Sequence, residues 1–131
     1  MAWQPTPDAL RTAWDAALPT DDRVERRTMF GQPCAFVGGH MFTLLLEDRC
    51  VVRLGPGHRE SLGRLGGVPF EPRPGQVMRE YVVVPPTLVG DARRLRAWVL
   101  DAFRFAAALP PKATRRRAAI TPLPKARPAR A

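Results

Sequence analysis

Apolar residues recur along this chain with two different periods, and the alternation between those periods lays out its elements. Near the N-terminus Leu10, Ala13, Trp14, Ala17 and Leu18 fall three and four apart, the spacing of one helical face. Thr6 is placed to cap that helix, Pro7 suits its first position, Asp8 favours the positive end of its dipole, and Pro19 stops it. After a polar link, residues 24–30 read as a first strand ending at Gly31. From there the period is two. If Gly38 and Gly39 form a two-residue turn, Val37 faces His40, Phe36 faces Met41, Ala35 faces Phe42 and Cys34 faces Thr43. A second turn over Glu47, Asp48 and Arg49 sets Leu46 opposite Cys50 and Leu44 opposite Val52.

On that register one face of the three-stranded meander collects Ala35, Val37, Phe42, Leu44, Leu46, Cys50, Val52 and Leu54, the expected core face. The opposite face collects Cys34, Phe36, Met41, Thr43, Leu45, Val51 and Arg53, far more apolar than a solvated sheet face should be. Something is expected to cover it. One cover is a second copy of the chain, meeting it through Phe36, Met41, Leu45 and Val51; the other is the N-terminal helix crossing over them.

Helical spacing returns over residues 57–65, with Leu62 and Leu65 expected inward and Gly66 ending the turn. Residues 70–73 and 77–84 then flank Pro74-Gly75, a turn pair, and form a second hairpin that ends at Pro85 and Pro86. The most regular stripe comes last: Leu95, Trp98, Val99, Ala102, Phe105, Ala106 and Leu109 define a helix over residues 91–109, with Asp91 as its N-cap and Leu100 and Phe103 off the stripe. Sequential hairpins between helices predict an α+β fold, a two-layer sandwich with an antiparallel sheet of about five or six strands.

Composition sharpens this picture mainly through charge. The 131 residues suit a single domain, and no apolar run approaches the length of a membrane span, nor does MAWQPTPDAL resemble a signal peptide, so a cytoplasmic protein is expected. The net charge of +9 is almost all at one end. Residues 1–109 hold 14 basic and 12 acidic side chains, whereas residues 110–131 hold Lys112, Arg115, Arg116, Arg117, Lys125, Arg127 and Arg130 with no acid. That segment also has five prolines and no aromatic residue, a composition that predicts a disordered tail after a folded body of residues 1–109. Its seven cations are candidates for nonspecific contact with nucleic-acid phosphates, or for a purely solubilising role.

Candidate chemistry in the body is sparse. Cys34, His40, Cys50 and His58 lie 6, 10 and 8 apart, unlike the close ligand pairs of zinc modules. Cys34 and Cys50 fall on strands that are not neighbours, which predicts two free thiols. No nucleophile or metalloprotease motif occurs, and Gly63, Gly66 and Gly67 are not followed by the lysine of a phosphate loop. The expectation is a protein without catalytic residues, metal or cofactor.

Arg27, Met29, Phe30 and Gly31 at a strand end, Met41 and Phe42 after the hairpin, Val51, Val52 and Arg53, Tyr81 leading to Pro85, and Asp91, Leu95 and Trp98 on the last helix form an ordered pattern. Over roughly residues 10–108 this pattern resembles the N-terminal domain of the competence regulators TfoX and Sxy. The resemblance implies an α+β domain acting in regulation or protein interaction, without enzymatic activity. Full-length competence regulators carry a second, helical domain where this sequence has its basic segment.

Overall fold

A computed structural model describes residues 6–29 and 31–110. The basic segment predicted to be disordered, with its seven cations, lies outside the described residues apart from Pro110. The order is α1 (Asp8–Ala17), β1 (Glu25–Met29), β2 (Gln32–Val37), β3 (His40–Leu46), β4 (Arg49–Arg53), α2 (Pro56–Arg64), β5 (Val68–Arg73), β6 (Gln76–Val83), α3 (Pro86–Val89) and α4 (Ala92–Ala107). Six antiparallel strands form one sheet in the order β1-β2-β3-β4-β6-β5. The fold is α+β, as the alternation of periods predicts.

The helices pack on one face. Trp14 and Ala17 of α1, Leu62 of α2, Leu88 of α3 and Leu95, Val99, Ala102, Phe103 and Ala106 of α4 form a single core with Ala35, Val37, Phe42, Leu45, Cys50, Val52 and Leu54 of the sheet. Asp91 caps α4 by accepting from the Arg94 backbone N–H, the role its sequence position predicts. Thr6 does not cap α1. Its hydroxyl donates to Gln32 Oε1, tying the chain ahead of the helix to the start of β2.

Two local features of β3 change which side chains reach that core. The Gly38-Gly39 turn is as expected, both residues at positive φ, with Val37 opposite His40 and Phe36 opposite Met41. The next pair, however, is Ala35 with Thr43, so Phe42 is an extra residue in β3, a β-bulge. Phe42 and Thr43 therefore both turn toward the helices. Phe42 meets the Phe103 ring edge-on at 5.5 Å, and the Thr43 hydroxyl accepts from Trp14 Nε1–H at 3.1 Å while donating to the Val51 carbonyl at 2.8 Å. Beyond the bulge the period-two alternation is inverted.

The second feature is the β3–β4 turn, which spans only Glu47 and Asp48: Leu46 faces Arg49, Leu45 faces Cys50 and Thr43 faces Val52. Glu47 adopts φ 56°, a left-handed conformation uncommon for a non-glycine residue. Together these features correct the sequence reading of β3. Leu45 and Thr43 belong to the helix-side core, whereas Leu44 and Leu46 lie on the opposite face.

Three smaller expectations are also corrected. Leu65 is half exposed, because the turn after α2 directs only Leu62 inward. Phe103 is buried despite lying off the α4 stripe, since the bulge brings Phe42 to meet it. The two prolines that end β6 also begin α3, a short helix not foreseen. Gly67, between α2 and β5, has no space for a side chain: a Cβ there would lie within 3 Å of Leu62 and Val82.

The shared Thr43 hydroxyl gives a direct test. Thr43→Val keeps the shape but strands the Trp14 indole N–H in a dry core, and should lower stability by about 1–3 kcal/mol in urea unfolding. Thr43→Ser should recover most of that loss, and pairing Thr43→Val with Trp14→Phe should cost less than the sum of the two single changes.

Candidate functional site

No helix contributes to the buried cluster on the second face of the sheet. It is built from strands alone: Leu46, Val51, Phe70 and Tyr81, with Met41, Leu44, Met78 and Val83 packed around them. The sheet itself supplies the cover by curling. In the β5–β6 hairpin Pro69 pairs with Val82 but Phe70 pairs with Met78, so residues 79–81 of β6 bulge out of the β5 ladder. Those residues bind β4 instead, Tyr81 opposite Arg53 and the Leu54 N–H donating to the Glu80 carbonyl. The Tyr81 hydroxyl reaches past β4 to donate to the Met41 carbonyl at 2.8 Å. The Arg53 guanidinium holds Glu80 through Nε at 2.8 Å and a terminal nitrogen at 2.7 Å.

The result is a cavity of about 150 Å³ lined by Met29, Pro33, Cys34, Met41, Leu44, Phe70, Pro72 and Met78 among others. Met29 lies on one edge strand of the sheet and Phe70 and Pro72 on the other, so strands at opposite edges face one another across it. Gln32 is the one polar amide in the lining, and its carboxamide oxygen accepts from Thr6 and from the Glu47 backbone N–H. At the rim the Arg49 guanidinium sits 5.9 Å from the centre of the Phe70 ring and pairs with Glu47.

A second, wetter cavity of about 260 Å³ shares Pro33 and Cys34 with the first and is lined also by Arg11, Trp14, Asp15, Arg26, Arg27 and Thr28. Two of its arginines are matched by acids, Arg26 with Asp15 and Arg27 with Glu25, each at 3.0 Å. Arg27 also lies over the Phe36 ring at 4.3 Å.

The candidate metal-binding and catalytic residues do not converge. Cys34 is on β2 and Cys50 on β4, with β3 between them, and both are free and buried. The Cys34 thiol donates to the Arg27 carbonyl. His40 Nε2 donates to the Pro110 carbonyl at 2.6 Å, and its buried Nδ1 has no hydrogen-bond partner among the described residues. His58 stands 3.6 Å from Asp101 and edge-on to Trp98. Among the described residues, no three His, Cys, Asp or Glu side chains are grouped to hold a metal ion.

Of the four residues expected at a self-association surface, the structure keeps Phe36 and Met41 on the second face, partly exposed and opposite one another. Leu45 is fully buried in the helix-side core, and Val51 is fully buried with Phe70 and Tyr81, so neither is available at a surface. Sequence reasoning missed Phe70, Pro72 and Met78 as companions of Met41. A hairpin at the far end of the sheet gives no sequence signal that it will fold back over the first strands.

The chain matches the family model of the TfoX N-terminal domain over residues 17–106, from the end of α1 through nearly all of α4. The chain belongs to the TfoX N-terminal domain family. A comparison with curated proteins finds no match. The family match includes every strand and both walls of the apolar cavity, and it stops short of the seven tail cations.

Burial sets the thiol chemistry. Desolvation pushes the Cys50 thiol up to about 12 and raises that of Cys34, with the Arg27 charge opposing the rise at Cys34. Because Cys50 holds its proton more tightly when folded, its contribution to stability is complete below the unfolded thiol value near 8.5 and is lost as pH rises from there toward 12. Unfolding free energy should therefore fall by up to about 1.4 kcal/mol per pH unit above pH 9, a slope that Cys50→Ala should reduce. Neither thiol should react with a disulfide reagent at pH 8 until the protein unfolds.

Proposed function

We propose that the chain is a cytoplasmic, non-enzymatic regulatory or interaction domain whose basic end, residues 110–131, contacts nucleic acid without sequence preference. Membership of the TfoX N-terminal domain family supports a regulatory or interaction role in general. No helix of the described residues is long and apolar enough to cross a membrane. The observation that carries the nucleic-acid reading is the segregation of charge. Residues 1–109 hold 14 basic and 12 acidic side chains, with several arginines such as Arg26, Arg27 and Arg53 within 4 Å of an acid, while the last 22 residues hold seven cations and no acid. Unmatched cations release counterions when they meet phosphates, and this sequence-independent term dominates nonspecific affinity.

Fluorescence anisotropy with duplex DNA tests the proposal. The full chain should bind with a strong salt dependence, a log–log slope of up to about −6 if all seven cations engage. Truncation after Pro110 should abolish most of the affinity and flatten the slope, and Arg115, Arg116 and Arg117 changed together to Ala should reduce its magnitude by about 3. Equal binding by the truncated chain overturns the reading.

A second reading, a homodimeric adaptor, is favoured by the partly exposed pair of Phe36 and Met41 on a sheet face that no helix covers. In sedimentation at high concentration, Met41→Asp should then convert dimer to monomer while tail truncation leaves the dimer intact. A full chain that stays monomeric rejects this reading.

A further inference from the structure

We propose that the cavity on the second sheet face is a ligand site for a single uncharged aromatic ring system, of benzene to indole size. Its volume of about 150 Å³ has room for one small ring, in an apolar pocket that is open to solvent on one side. Its lining selects for chemistry as well as size. Met29, Met41 and Met78, all the methionines among the described residues, meet there with Phe70. Thioether sulfur packs favourably against aromatic rings, and Phe70 adds an edge-to-face partner.

No ionised side chain lines the cavity, and its thiol is committed to the Arg27 carbonyl, so a charged ligand would lose its hydration without compensation. The Tyr81–Met41 bond and the β6 bulge hold the hairpin in place over the first strands, so the walls are formed before a ligand arrives. The inference is independent of the nucleic-acid reading, since none of the tail cations takes part.

The probe is indole, added to the full chain labelled with ¹³C at the methionine methyls. The methyl signals of Met29, Met41 and Met78 should shift saturably, in the direction of a ring current, and n-hexane should bind at least several-fold more weakly. Leu44→Trp, which fills the cavity from its own wall, should weaken indole binding at least tenfold. If that variant does not fold, the volume-conserving double change Met41→Leu and Met78→Leu serves instead, and should remove the preference for indole over hexane. Shifts that rise linearly without saturation, equal affinity for hexane and indole, or an indole affinity unmoved by these changes would each overturn the assignment.

Discussion

The bulge at Phe42 and Thr43 is the constraint on which the two faces of this sheet depend. Two consecutive side chains point to the same side, and each locks a different helix: Phe42 against Phe103 of α4, Thr43 against Trp14 of α1. The Thr43 hydroxyl works in both directions, accepting from the indole and donating to the Val51 carbonyl of the neighbouring strand. Such a bond contributes only about 1 kcal/mol net, but losing one partner leaves the other stranded in a dry interior. The location of β3 near the middle of the sheet makes the bulge more consequential still. By inverting the alternation it sends Leu44 and Leu46 to the far face, where both line the cavity.

That inversion also marks where the sequence stops being legible. Elements governed by local chemistry follow from the residues: the Gly38-Gly39 turn, the alternation of Cys50, Val52 and Leu54, the Pro74-Gly75 hairpin and the Asp91 cap. An extra residue in a strand has no such signature. Every residue from Phe42 to Leu46 except Thr43 is apolar, so either phase of the strand looks equally good until the partners are known. The same ambiguity hid Phe103, whose burial is decided by the position of Phe42 rather than by the stripe of its own helix. The apolar character of the second face was legible; its cover, a hairpin folded back from the opposite edge, was not.

Charge and shape divide the molecule differently. Several arginines of the folded part are engaged locally: Arg53 holds Glu80 and lies near the Tyr81 and Phe105 rings, Arg27 stacks on Phe36, and Arg23 is paired with Asp21. Exposed pairs of this kind stabilise little, yet they do mask the field that a phosphate backbone would feel. The edge strands are guarded in their own ways, β5 by Pro69 and Pro72 and β1 by its run of charged residues, both common defences against unwanted strand pairing. The apolar concavity and the basic end are the two features on which the proposed recognition rests.

The cavity and Pro110, the last described residue, meet at one corner of the sheet. His40 opens β3 and its Nε2–H holds the carbonyl of Pro110, the residue from which the basic segment continues; the next residue, Met41, lines the cavity and accepts the Tyr81 hydroxyl. The histidine ring is buried and uses one nitrogen for this contact, so the end of the folded part is attached at a defined place rather than left to fray from α4. Met41 follows His40 directly in β3, so the cavity wall and the Pro110 anchor are one residue apart. The geometry ties the attachment point of the basic segment and the wall of the apolar cavity to the same few residues of β3, the strand whose bulge organises the rest.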